Sequence, residues 1–354
     1  AAFAFMEMQE AGFSAVAEFH YLHRAPGGVP YDNLAELSER ILAAAADTGI
    51  GLTLLPVLYQ QGGLDGRPLA GGQRRFFNDT DSFLRLVCDA ETALARLPGD
   101  AALGIAPHSL RAVSAENLRE AVALRGSGPL HMHIAEQELE IEEVVAATGR
   151  RPVEWLFDNH VVDARWCLIH ATHMTPDETE RLARSGAVAG LCPVTEANLG
   201  DGIFNGVDYL SAGGHFGIGS DSNIRISTGE ELRQLEYSQR LKHRGRAVLA
   251  EPGGSVGRRL YDIALAGGAQ ALGRDSGAIA PGKWADLVAL DADVLSGSRK
   301  GDGLIDAFVF TADRSAVTDV WSAGRHSVQA GRHVARAALA ARYARTLSRL
   351  TDLS

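Results

Sequence analysis

Four stretches of this 354-residue chain end in side chains that can bind a metal or move a proton. They are His131-Met132-His133-Ile134-Ala135-Glu136, Cys167-Leu168-Ile169-His170-Ala171-Thr172-His173, Leu191-Cys192-Pro193-Val194-Thr195-Glu196 and Gly217-Ile218-Gly219-Ser220-Asp221. Each belongs to a short apolar run that closes on polar residues. A lone histidine at such a place is more often structural than functional, so the weight lies in the set. His131 and His133 are two apart, which puts both on one face of an extended strand. Glu136, three further on, falls where that strand should already be turning. A metal that acidifies water, next to a carboxylate that carries protons, is equipment for hydrolysing a carbon–nitrogen bond. On this reading His133 and Asp221 are metal ligands, and Asp221 doubles as base for the water. Glu136 shuttles the proton. His170 faces the water or the scissile centre, with His173 as rival for that place. Pro107-His108-Ser109-Leu110-Arg111 adds Arg111, whose planar fork suits a carboxylate. His108 and Tyr21 end neighbouring apolar runs and can bond the same ligand.

Those groups need a scaffold that brings the ends of separate runs together. Nearly continuous apolar segments at 15–21, 52–59, 103–109, 130–136, 167–173, 187–193 and 216–221 read as parallel strands buried on both faces. Helical patterns at 33–46, 81–95, 115–123, 136–147, 176–185 and 229–242 alternate with them. The alternation predicts an α/β fold, a (β/α)8 TIM-type barrel with its chemistry at the C-terminal ends of the strands. Seven strands are found where such a barrel has eight. The chain opens on Ala1 and an amphipathic helix closed by Gly12, so the missing strand is expected to be the first, lying upstream. Beyond about residue 246 the character changes. Residues 254–271 read as helix, 285–291, 307–311 and 317–328 as strands of a small β domain with turns at Gly324 and Gly331, and 335–350 as a terminal helix. The expected organisation is a hydrolase barrel over 1–280, incomplete at its N-terminus, part of an accessory β-sandwich over 281–334, and a C-terminal helix over 335–354.

Bulk properties narrow the partners. The net charge is −10 with no basic block, which argues against binding nucleic acid or an anionic membrane. No apolar run approaches the length of a membrane span. The first ten residues carry acids and no basic n-region, so they are not a signal peptide. Three widely spaced cysteines, Cys88, Cys167 and Cys192, fit a reducing cytoplasm better than a disulfide framework. The glycine pairs at 62–63, 71–72 and 253–254 have no strand–turn–helix context for phosphate. The expected partner is a small molecule. Any assembly is expected to be a homodimer, which nothing in the residues specifies.

With these motifs in view, the chain resembles the amidohydrolase superfamily over essentially its whole length. The likeness is most specific at Ala17-Glu18-Phe19-His20-Tyr21, His108-Ser109-Leu110-Arg111-Ala112-Val113, His131 to Gln137, Trp166 to His173, Thr195 to Gly202 and Gly219-Ser220-Asp221-Ser222. The segment from Gly277 to Val288 is similar to the return to a β-sandwich found in the wider superfamily. Within the superfamily the chain is most similar to enzymes that hydrolyse N-formimino-L-glutamate to N-formyl-L-glutamate and ammonia in histidine degradation. The resemblance implies one zinc, with iron as the alternative metal. It implies His133 and Asp221 as ligands, Glu136 as proton shuttle, His170 as the histidine that orients water or substrate, and His108, Arg111 and Tyr21 as holders of a dicarboxylate amidine. It also implies a His-x-His pair on the first strand. No such pair besides His131/His133 stands in these residues. The 354 residues alone are therefore expected to bind zinc weakly, to have negligible activity and to aggregate. Two alternatives stand beside this reading. One is a deaminase of a guanine- or cytosine-like ring. The other is a catalytically incompetent barrel fragment.

Overall fold

In a computed structural model of the chain, residues 1–124, 126–297, 299–312 and 314–351 are described. The seven apolar runs form eight strand segments: β1 (Ala15–His20), β2 (Gly51–Leu58), β3 (Ala102–Leu103), β4 (Ala106–Pro107), β5 (Leu130–Ile134), β6 (Trp166–His170), β7 (Val188–Leu191) and β8 (His215–Ile218). All pair in parallel, as β1–β2, β2 with both β3 and β4, and β5–β6–β7–β8. The third run, expected as one strand over 103–109, is split. Its Gly104 amide donates to the Leu54 carbonyl. In a parallel ladder the next donor back would come from residue 56, which is Pro56 and has no N–H. Ile105 bridges to Leu130, and the amides of His131 and His133 donate to the carbonyls of Ile105 and His108 at 3.1 and 2.9 Å. The two groups of strands are thereby one parallel array, the wall of a barrel. Among the described residues no strand pairs with the outer edges of β1 or β8.

Local chemistry sets the helices between the strands. Asp79 caps Thr80–Leu94 by accepting from the Ser82 amide. Thr175 and Glu178 form a capping box around Pro176 at the start of Pro176–Arg184. Gly49 and Gly149 close their helices in the left-handed conformation. The helix Val256–Ala271 needs glycine for a different reason. A Cβ on Gly267 would sit 2.1 Å from the Phe216 carbonyl oxygen. Glycine lets this helix lie directly against β8. Its C-terminal end then turns under the barrel, where the carbonyls of Ala271 and Leu272 accept from His131 Nε2 (2.7 Å) and Thr53 Oγ1 (2.8 Å).

A second sheet is antiparallel, in the order β12–β11–β10–β9: β9 (Leu287–Leu290), β10 (Val317–Ser322), β11 (Arg325–Gln329) and β12 (Arg332–His333). Gly324, at φ 80°, makes the β10–β11 turn. The first helix, Ala2–Glu10, belongs with this sheet. Gln9 Nε2 donates to Ser327 Oγ at 2.8 Å, and Glu10 Oε1 accepts from the His333 amide at 2.9 Å. Residues 307–311, expected as a strand, lie instead largely in the helix Asp302–Phe310. The apolar run there is too short for periodicity to separate strand from helix. Tertiary contacts decide it, because Asp306 Oδ1 accepts from Ser255 Oγ and the Gly257 amide, both at 2.8 Å. Arg274 clamps the layers together. It bonds Asp100 below the barrel and Asp286 beside the small sheet, and Arg325 of β11 reaches the same Asp100. No helix of the described residues is long and apolar enough to cross a membrane.

Candidate active site

Seven residues singled out from the sequence lie at the C-terminal ends of the barrel strands or just beyond: Tyr21 after β1, His108 and Arg111 after β4, His133 on β5 and Glu136 after it, His170 on β6, and Asp221 after β8. Contacts link six of them. His133 and His108 stack with ring centroids 4.9 Å apart, and Tyr21 Oη lies 3.5 Å from His133 Nε2. The His133 and His170 rings are 5.5 Å apart. His170 Nε2 is 3.8 Å from Glu136 Oε1, and Arg111 Nη2 is 4.0 Å from Glu136 Oε2. Among the described residues no hydrogen bond or ion pair joins Asp221 to the others, but its charge bears on Tyr21, Glu136 and His170.

The backbone bends to achieve this. Cys167 and Ile169 pack with Val188 and Ala271, while Trp166 and Leu168 pack in the main core outside the sheet. Alternation would send the His170 side chain to the latter face. A φ of +67° at His170, followed by +48° at Ala171, swings it over the mouth instead. Ala135 (+52°), Asp221 (+41°) and Asn223 (+56°) are also left-handed. Such strain in non-glycine residues, gathered at strand ends, is a signature of a functional site. The two histidines of β5 divide the labour. Both face the barrel interior, but His131 lies deep and is held by the Ala271 carbonyl, whereas His133 stands at the mouth. His173, the rival of His170, is occupied elsewhere, with Nε2 2.6 Å from the Asp201 carbonyl oxygen.

Burial sets the electrostatics. It holds His133 well below the ordinary histidine range, reinforced by His108 and His170, and pulls His108 down to about 3. Both rings are neutral at pH 7. Burial also raises the Glu136 carboxyl; His170 and Arg111 oppose that rise, and Asp201 and Asp221 add to it. His170, unlike His133 and His108, is raised. Burial alone would lower it, but the hydrogen bond and charge of Glu196 and the charges of Glu136 and Asp221 carry it upward. Burial drives Cys167 up to about 12 and raises Cys192 further above its ordinary range, so neither is a thiolate nucleophile.

The donor chemistry suits a metal in kind. His133 Nδ1 lies 3.2 Å from the His108 carbonyl oxygen, and donating there leaves Nε2 as the acceptor nitrogen, which Tyr21 Oη faces at 3.5 Å. In number the donors fall short, since zinc takes three or four protein ligands. Among the described residues no group of three or more His, Cys, Asp or Glu side chains converges on one point.

Three features of the site were not assigned a role from sequence. Glu196, buried after β7, lies 3.2 Å from His170 Nδ1 through Oε1. Asp201 is buried, with Oδ1 accepting from Gln137 Nε2 and Oδ2 without a protein partner among the described residues. An aromatic wall of Phe19, Tyr59 and Phe76 surrounds Tyr21, His108 and His133, with the Phe19 and His133 centroids 4.4 Å apart. Glu196 and Asp201 stand in the Thr195–Gly202 motif, the one signal that could have pointed to them. Nothing local in the sequence brings Phe76 to the mouth.

The sequence profile of the amidohydrolase family matches residues 1–326. Formimidoylglutamate deiminase of Pseudomonas aeruginosa is 49% identical over 354 residues, spanning 98% of this chain and 77% of that enzyme. A crystal structure of an amidohydrolase from Brucella melitensis superposes with a TM-score of 0.95 at 50% identity, covering 99% of this chain and 78% of that one. An adenosine deaminase from Xanthomonas campestris, solved with bound zinc, shares the fold at a TM-score of 0.79 and 23% identity, covering 99% of this chain and 74% of that one.

Proposed function

The chain belongs to the amidohydrolase family, and on that premise we propose that it carries the reaction N-formimino-L-glutamate plus water to N-formyl-L-glutamate plus ammonia, a step of histidine breakdown. The observation that carries the reading is the 49% identity, over 98% of the chain, to an enzyme of that specificity. The site's geometry supports it. Arg111 stands at the mouth with Nε buried and without a protein partner among the described residues. A substrate carboxylate would meet the partly exposed Arg111 side chain, and Tyr21 and His108 flank the same space.

The proposed roles follow from position. One metal ion, zinc or iron, held in part by His133 and Asp221, supplies an acidified water when bound. Asp221 takes the proton that the water gives up. Glu136 carries a proton to the departing nitrogen, a task suited to a carboxyl lifted toward neutrality. His170, within 3.8 Å of Glu136, orients water or substrate between them. Arg111 reads a carboxylate of the glutamate moiety. Free cysteines suit a cytoplasmic setting.

The aromatic wall favours a second reading, deamination of a purine or pyrimidine ring stacked on Phe19, Tyr59 and Phe76. Ammonia release from N-formimino-L-glutamate, guanine, cytosine and adenosine, each with added zinc, separates the two. The deiminase reading expects release from the first alone. Release from a ring substrate and none from the amidine would overturn it.

A further inference from the structure

The deepest contact of the site has no role in the reaction as set out above. His170 Nδ1 lies 3.2 Å from Glu196 Oε1, and the same oxygen accepts from the Cys192 amide at 2.9 Å. Both side chains are sealed from solvent, His170 at 1% and Glu196 at 4% exposure. They come from different places, the end of β6 and the helix Pro193–Leu199 that follows β7. We propose that Glu196 is a positioning residue: it fixes His170 in the tautomer protonated on Nδ1 and so turns Nε2 toward Glu136 and the reacting centre.

The argument is one of donor inventory. A carboxylate oxygen only accepts, so the imidazole must donate to it from Nδ1. In the neutral ring Nε2 is then the acceptor, and in the imidazolium it is a second donor; in either form it faces Glu136 Oε1 at 3.8 Å. The ring cannot swing back, because its backbone is held at φ +67° and its Nδ1 side is anchored. In the neutral form His170 can accept a hydrogen bond there from water, from a substrate N–H or from protonated Glu136. The flipped neutral tautomer would offer a donor there instead and leave Nδ1 without a proton for Glu196. A second-layer carboxylate that orients a histidine in this way commonly accounts for about 10–100-fold in activity. The rival explanation is that Glu196 merely caps the turn at Cys192.

The inference rests on the deiminase reading only for its kinetic arm. The structural arm is a proton–nitrogen correlation spectrum of protein labelled with 15N-histidine. A slowly exchanging imidazole N–H signal is expected, assigned by its loss in His170→Asn. In Glu196→Leu it should disappear. In Glu196→Gln it should persist at a shifted position, since the amide oxygen still accepts but without charge. Absence of the signal in the wild type, its survival in Glu196→Leu, or an unshifted signal in Glu196→Gln would overturn the proposal. The last comparison suffices if Glu196→Leu does not fold. In the kinetic arm, Glu196→Leu should lower kcat by about 10–100-fold with a much smaller change in KM. In a His170→Asn background the same substitution should cost nothing more. An additive loss would overturn the proposal and leave Glu196 as a cap. If wild-type protein releases no ammonia from N-formimino-L-glutamate while the spectra behave as expected, the deiminase reading fails and the positioning role stands.

Discussion

Glu136 and Arg111 stand 4.0 Å apart and carry different duties in the proposed reaction, which substrates with and without carboxylates separate. Glu136→Gln keeps size and hydrogen bonding but removes the transferable proton. In protein that holds its metal and releases ammonia, it should lower kcat by roughly 10²–10⁴-fold and leave metal content unchanged, as read by ammonia release and elemental analysis. Activity near that of the wild type would remove Glu136 from the mechanism. Arg111→Met removes a charge-assisted contact worth about 1.5–3 kcal/mol. It should raise KM for N-formimino-L-glutamate and spare hydrolysis of a simple formamidine without carboxylates. Equal losses on both substrates would mean that Arg111 supports the site without reading the substrate. Both residues could be named from type and spacing. Glu196 stood at the end of one such run without a role, because its partner, His170 Nδ1, comes from a different strand.

At the scale of elements, two helices control how the strand ends are presented. Thr228–His243 carries Glu231, fully buried, with Oε2 accepting from the Val194 amide at 2.9 Å and Oε1 without a protein partner among the described residues. Burial, with Glu196 and Asp221 adding to it, lifts this carboxyl from 4.5 to about 9. The folded state therefore holds the proton more tightly than the unfolded one. Its contribution to stability is complete below about pH 4.5 and is lost as pH rises toward 9. Glu231→Gln, neutral at every pH, should melt higher than the wild type at pH 8–9 and close to it at pH 4.5. Thermal midpoints across that range would show it, and parallel curves would refute it. On the other helix, Gly267→Ala would place a methyl 2.1 Å from the Phe216 carbonyl. The helix must retreat from β8, at a cost of about 1–3 kcal/mol or more. A urea midpoint equal to that of the wild type would show that the contact is not tight.

At the scale of the whole molecule, the barrel and the small sheet share one buried ionic clamp. Arg274 is 3% exposed at its side chain, and its partners Asp100 and Asp286 are nearly as hidden. Arg274→Met would leave the buried carboxylate of Asp286 without its cation, while Asp100 keeps Arg325. Breaking a buried pair by removing one partner typically destabilises by about 3–5 kcal/mol. The expected outcome is a lower urea midpoint with barrel and sheet probes falling together. Early loss of the small sheet alone, with the barrel unaffected, would show that the clamp does not couple them. The same clamp explains why a division at about residue 280 cuts through shared contacts: Arg274 stands on one side of it and Asp286 on the other. The first helix likewise packs on the last strands, a pairing across more than 300 residues that no local pattern announces.

The βα alternation and the seven apolar runs were legible in the sequence, as was the choice of His133, Glu136, His170, Asp221, Arg111, His108 and Tyr21 as candidates. Each depends on patterns within a dozen residues: continuous apolarity for a strand buried on both faces, and polar residues at its end. What only the tertiary structure decided has a common cause, namely that it depends on what arrives from elsewhere. Helix Asp302–Phe310 was settled by Asp306 meeting Ser255 and Gly257. The break in the third strand came from Pro56 on its neighbour. The choice between His170 and His173 turned on a left-handed φ and on two distant acceptors, Glu196 Oε1 and the Asp201 carbonyl. Residue type supplies the reagents, but their bond partners, protonation and direction are properties of the surroundings that folding assembles.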